Sequence, residues 1–239
     1  MKKTTTKWIV TTALTSALLL ACCLAQGPLD KILGKPPSSS LSNDKITAGL
    51  KEALKVSTGN AVASTGRPDG YLKNAAIKIL LPPKLQTVGK GMRMMGQGRQ
   101  VDDLEIGMNR AAEQAAPAAK QIFINALTKM TFTDARQILS GNQTAATEYF
   151  KRTSTAELTT SFTPIVHKSM ENVGVVKQYN TFMQNPTAAK LGGSLDLDKY
   201  VVGKALDGLF YMMGEEEKKI RKDPAAQTTS LLKEVFGKK

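Results

Sequence analysis

The chain has 239 residues, of which 41% are hydrophobic, 22% charged and 5% aromatic, a balance that excludes a wholly disordered or fibrous protein. It carries 33 basic against 20 acidic residues, a formal charge of +13, and only two cysteines and one histidine. That nearly empties the inventory from which thiol enzymes, serine-histidine triads and zinc sites are built.

Lys2, Lys3 and Lys7 precede an uncharged run from Trp8 to Ala21, interrupted only by Thr11, Thr12, Thr15 and Ser16. This order is that of a secretory signal peptide. A bilayer-spanning helix needs about 20 apolar residues, and this run ends at Cys22-Cys23, just before Gln26-Gly27-Pro28. Leu19-Leu20-Ala21-Cys22 resembles the lipobox of bacterial lipoproteins, which implies cleavage after residue 21 and a diacylated Cys22 as lipid attachment point. Two acyl chains, at about 0.8 kcal/mol per buried methylene, anchor a protein stably without a transmembrane helix. The competing reading is ordinary cleavage after Ala25, leaving Gln26 first. Cys23 is not the aspartate that holds enterobacterial lipoproteins in the inner membrane, so the expected place is the outer membrane, facing the periplasm. Loss of residues 1–21, which hold three lysines and no acid, leaves 218 residues and lowers the charge from +13 to +10.

Residues 22–42 read as a tether. Gly34 to Ser42 mixes proline and serine without apolar periodicity, and a flexible coil of this length reaches on the order of 25 Å. Residues 43–239 are expected to form one all-α, bundle-like domain without a disulfide.

In that domain Ser42-Asn43-Asp44 starts a long helix carrying Ile46, Leu50, Ala53, Leu54 and Ala61 on one face. Arg67-Pro68-Asp69-Gly70 is a turn, with glycine expected to take the relaxed position. Pro82-Pro83 opens a helix whose Leu85, Val88, Met92 and Met95 share a face, and Gly96-Gln97-Gly98 ends it. Asp102-Asp103 start the next, and Pro117 kinks or restarts it before Ile122, Phe123, Ala126, Leu127 and Met130. Thr133-Asp134 cap a short helix ending at Gly141, and another begins at Thr144. Thr155 to Asn185 reads as one or two helices divided near Pro164 or Gly174, closed by Asn185-Pro186. A long helix spans Asp196 to Lys222, Asp223-Pro224 stop it, and a last helix carries Leu231, Leu232, Val235 and Phe236. No hairpin chemistry and no repeat of 20 to 50 residues appears.

Gly66 to Leu72, Met108 to Glu113, Ala145 to Thr153, Lys204 to Phe210 and Glu215 through Ala226 to Leu232 together resemble a bacterial family catalogued as domain of unknown function forty-one ninety-seven. The resemblance implies an exported, all-helical domain. It brings no activity, cofactor or site.

Candidate sites come from polar constellations. Glu105, Asn109 and Glu113 share one helix face with Arg110 beside it, which suits either an acid pair in a cleft or a network that fixes helix packing. Arg67 could clamp a carboxylate or phosphate, and Asp69 could bond its own turn backbone. Lys151 and Arg152 could form an anion pocket with a helix N-terminus near Thr155, or be a capped surface junction. Glu215 to Glu217 ahead of Lys218, Lys219 and Arg221 read as a solvated face, and the methionines as core. His167 stands without a second imidazole or thiol, and Gly89-Lys90-Gly91 is not a phosphate loop. No metal or cofactor is expected, and a nucleic-acid partner conflicts with export and with the sparse aromatics.

The leading expectation is a cell-envelope lipoprotein, more a binding or scaffolding module than an enzyme. Its partners would be the membrane through the lipid, and anionic lipid or an acidic envelope protein. The alternatives are a carboxylate-dependent envelope hydrolase using Glu105 and Glu113, or a carrier of an apolar ligand.

Overall fold

The computed structural model describes residues 43–192 and 195–223. The expected signal sequence, Cys22, the expected tether and the expected C-terminal helix lie outside the described residues. Within them the domain is all-α and holds no strand, as the periodicity requires: α1 Asn43–Gly66, α2 Pro83–Met94, α3 Gly98–Ala115, α4 Ala119–Lys129, α5 Phe132–Ser140, α6 Ala145–Asn172, α7 Val175–Phe182, α8 Pro186–Gly192 and α9 Leu197–Lys222. None of these helices is long and apolar enough to cross a membrane.

Several boundaries differ from the sequence expectation. Gly96, at φ 79°, reverses the chain so tightly that α3 restarts at Gly98, a turn before Asp102. Asp102 and Asp103 therefore pair with Arg93 and Arg99 instead of capping. The cap of α5 is Thr131, not Thr133: its hydroxyl accepts from the Asp134 amide, and the Asp134 carboxylate accepts from the Thr131 amide, a reciprocal capping box. Pro164 divides nothing. It lies exposed on α6, where the Thr160 carbonyl that loses its partner is left to water, while Leu158, Phe162 and Val166 hold the other face in the core. The break comes at Gly174, with φ 74°. Asn185-Pro186, expected to stop a helix, starts α8: the Asn185 side chain accepts from the Thr187 and Ala188 amides, and proline occupies the first helical position. Met94 and Met95 are exposed, so the core face of α2 ends at Met92.

The core is one apolar cluster. α9 packs on α1, α3 and α6, and α3 also packs on α2, α6 and α7. Phe123 of α4 meets Phe150 of α6 edge-to-face with centroids 5.2 Å apart, and Phe210 of α9 at 6.3 Å, joining three helices through one ring. Ala111, Ala112, Ala115, Ala116 and Ala119 are fully buried and let their neighbours approach closely. The non-helical exception is residues 67–82, between α1 and α2.

Candidate functional site

A non-helical stretch laid against a core must find partners for its backbone N–H and C=O groups, each of which costs about 1–3 kcal/mol if buried unmade. Residues 71–81 find them on α3. The Glu113 carboxylate accepts from the Tyr71 and Leu72 amides, both at 3.1 Å. Asn109 takes both groups of Ile79, its Oδ1 accepting from the amide at 2.9 Å and its Nδ2 donating to the carbonyl at 2.7 Å. Glu105 accepts from the Leu81 amide at 3.3 Å. The fit is metrical: four helical residues rise about 6 Å, and two extended residues about 6.6 Å. Ile79 and Leu81 thus meet Asn109 and Glu105 in antiparallel order, so a polar stripe on a helix replaces a neighbouring strand.

All three side chains of the stripe are buried, so their charges must be countered. Arg110 donates to Glu113 at 2.6 Å and to Asp69 at 2.7 Å, and Asp69 also pairs with Lys73 at 2.7 Å. Arg93 donates to Glu105 at 3.2 Å and to Asp102 at 2.8 Å. The Lys73 ammonium, and then the Arg110 guanidinium, hold the Asp69 carboxyl below its usual range, and Glu113 ahead of Asp69 raises the Arg110 guanidinium. Asp69 is thus an ion-pair partner, not a side chain bonded to its own turn. It also takes the position expected of glycine, at φ 65°. Gly70 is needed for space instead, because a Cβ there would fall 2.6 Å from the Thr65 carbonyl oxygen. Arg67, at the mouth of this turn, is exposed and outside the network.

Tyr71 completes the clamp. Its hydroxyl donates to the Ala205 carbonyl at 2.6 Å, its ring leaves no room for a Cβ on Gly208, and its burial, with the nearby Glu113 charge, pushes the phenol well up.

A third buried glutamate does comparable work at the far end of α9. Glu217 accepts from the Ala146 and Thr147 amides at 3.0 and 2.9 Å, capping α6 in trans, and from Arg221 at 2.9 Å. Reading Glu215 to Glu217 as one solvated face was therefore wrong for Glu217, although Glu215 and Glu216 do pair with Lys218 and Lys219. The signal was present, since Phe210, Met213, Glu217 and Ile220 follow at core spacing.

Lys151 and Arg152 lie exposed inside the unbroken α6, with no helix N-terminus at Thr155. That removes the anion pocket expected there. Arg152 stacks over the Tyr149 ring at 5.7 Å, beside a cleft that also holds Asp134 and Glu148. His167 is exposed and bridges α6 to Asp198 of α9 at 2.6 Å, and Asp198, ahead of Glu171, raises its pKa above the usual imidazole value.

Sequence reasoning missed a surface groove of about 400 Å³ on the opposite side of residues 76–83. Ile77, Lys78, Leu80 and Pro83 form one wall, and Tyr200, Lys204, Asp207 and Tyr211 of α9 form the other, over Gly208. The Tyr200 hydroxyl ties the walls by donating to the Leu80 carbonyl at 3.0 Å. None of the candidate residues named from the sequence lines it.

Residues 40–237 match the family model described as "Protein of unknown function (DUF4197)", and the chain belongs to that family. Neither the curated proteins nor the solved structures contain a match.

Proposed function

We propose that this DUF4197 member is a lipid-anchored cell-envelope protein, held through Cys22 at the outer membrane, whose helical domain binds or scaffolds an anionic partner. One observation carries the reading. The buried carboxylates are committed to the protein's own arginines and amides, whereas Lys51, Lys55, Lys78, Lys84, Lys90 and Lys168 form no ion pair with any described residue. What the domain offers outward is uncompensated positive charge, which attracts acidic surfaces and lipid phosphates.

The same commitment weakens the hydrolase alternative. A general acid or nucleophile must reach substrate, and Glu105 and Glu113 each spend their oxygens on backbone amides and a guanidinium. A methionine-lined carrier cavity finds no support in the groove, which no methionine lines.

Two measurements test the proposal. Labelled palmitate should enter the wild type and not Cys22→Ser, and an unlabelled wild type would defeat the anchor. The full chain should be retained on polyglutamate or on phosphatidylglycerol vesicles, but not on neutral vesicles, and should release as salt shortens the Debye length below about 10 Å. Indifference to charge and salt would defeat the anionic partner.

A further inference from the structure

We infer that the groove between residues 76–83 and α9 docks an extended acidic peptide segment of another protein, which pairs its backbone with the outer edge of residues 78–80. The inference rests on the proposed binding role and names the class of partner.

The backbone supplies the first ground. Neighbouring residues of an extended chain turn their N–H and C=O groups to opposite edges. Ile79 gives both of its groups to Asn109, so those of Leu80 turn outward, and its carbonyl duly accepts from Tyr200 across the groove. The Leu80 N–H and the Lys78 C=O have no partner among the described residues. An acceptor and a donor flanking one residue on the same edge are the pair that a neighbouring strand residue satisfies with its own N–H and C=O. That is the geometry of strand addition.

The walls supply the second. Leu80 and Tyr211 remain 46% and 48% exposed, so the groove offers apolar contact to alternate side chains while its edge offers hydrogen bonds. A lipid tail could use the first but not the second, and a free phosphate the second but not the first. From Tyr200 to Tyr211 helix α9 rises about 16 Å, room for about five extended residues.

Charge supplies the third. Lys204 is balanced by Asp207 at 3.2 Å, but Lys78 is not balanced. A neighbouring cleft of about 160 Å³ shares Leu80 and Gln86 with the groove and brings in Lys90. The rim is net positive, which favours aspartate or glutamate in the occupant.

The test selects phage-displayed random heptapeptides on the detergent-solubilised full chain, then titrates the enriched peptides against variants. The selected peptides should alternate acidic with apolar residues. Lys78→Glu and Tyr211→Ala should each weaken them about tenfold, as should N-methylation of the central peptide amide. Gln121→Ala, exposed on α4 and away from the groove, should leave affinity unchanged, and bound peptide should slow hydrogen exchange at Leu80. No enrichment, or peptides indifferent to both groove variants, would overturn the inference. So would protection of Leu80 by phosphatidylglycerol vesicles or inorganic phosphate in the absence of peptide. Salt-sensitive retention on polyanions without peptide enrichment would refute the groove and leave the anionic-partner reading standing. Peptides that bind regardless of charge and salt would defeat that reading as well.

Discussion

Residues 71–81 have two edges that differ in how completely they are satisfied. On the inner edge, the Tyr71, Leu72, Ile79 and Leu81 amides all end on α3, and each carboxylate that receives them is neutralised by arginine. On the outer edge, the Leu80 amide and Lys78 carbonyl face a groove with half-exposed apolar walls and an unbalanced lysine. The acids that look most catalytic in the sequence hold the fold, and the surface that looks most available is made of residues no motif marks. Closed polar networks fix structure, because opening one strands buried charge. Function is better sought where backbone and charge remain unspent.

The sharpest way to break this contrast is on the inner edge. Glu113→Ala would orphan two buried amides and leave Arg110 short of a partner, so the domain should lose about 3 kcal/mol, a melting temperature lower by about 6–12 °C. Glu113→Gln keeps an acceptor and should lose less. Glu217→Ala should match Glu113→Ala, since it uncaps α6 and takes from Arg221 its Glu217 carboxylate. Asn109→Ala strands both groups of Ile79 and should cost about 2 kcal/mol by urea titration. On the outer edge, Lys78→Glu and Tyr211→Ala should change stability by less than about 0.5 kcal/mol while altering binding. A large stability loss there would erase the distinction.

The smallest effect concerns pH. Asp198 raises the pKa of His167 above its ordinary 6.5, so the folded chain binds this proton more tightly than the unfolded one. The contribution is fully present below 6.5 and fades as pH rises through the higher folded value. Urea midpoints of wild type and His167→Asn should therefore differ in acid and converge in base. Asp69 runs the other way: its lowered pKa adds stability above 3.8 that is lost as pH falls further.

Helices were legible because their apolar residues recur at three and four, which is why α1, α9 and the Pro117 restart fall where expected. The stripe of Glu105, Asn109 and Glu113 was visible as a face, and a packing network was one of its two readings. What periodicity could not supply was the partner, because residues 71–76 have no helical or alternating pattern, and the alternation of Ile77, Ile79 and Leu81 with Lys78 and Leu80 does not say that a helix, α3, lies beside them. Pro164 misled because local propensity ignores the core grip on the opposite face. Thr133 was mistaken for the cap because the acid that closes the box, Asp134, lies beside it, whereas the reciprocal geometry needs a threonine three residues back. The groove was illegible because its walls come from segments about 120 residues apart, joined by one Tyr200 hydrogen bond.

Amide hydrogen exchange on the free full chain tests the two-edged segment most directly. Ile79 and Leu81 should exchange about a thousandfold more slowly than unstructured amides, the protection given by an opening free energy of about 4 kcal/mol, and Leu80 between them should exchange freely. Equal protection at all three, or fast exchange at Ile79 and Leu81, would contradict it.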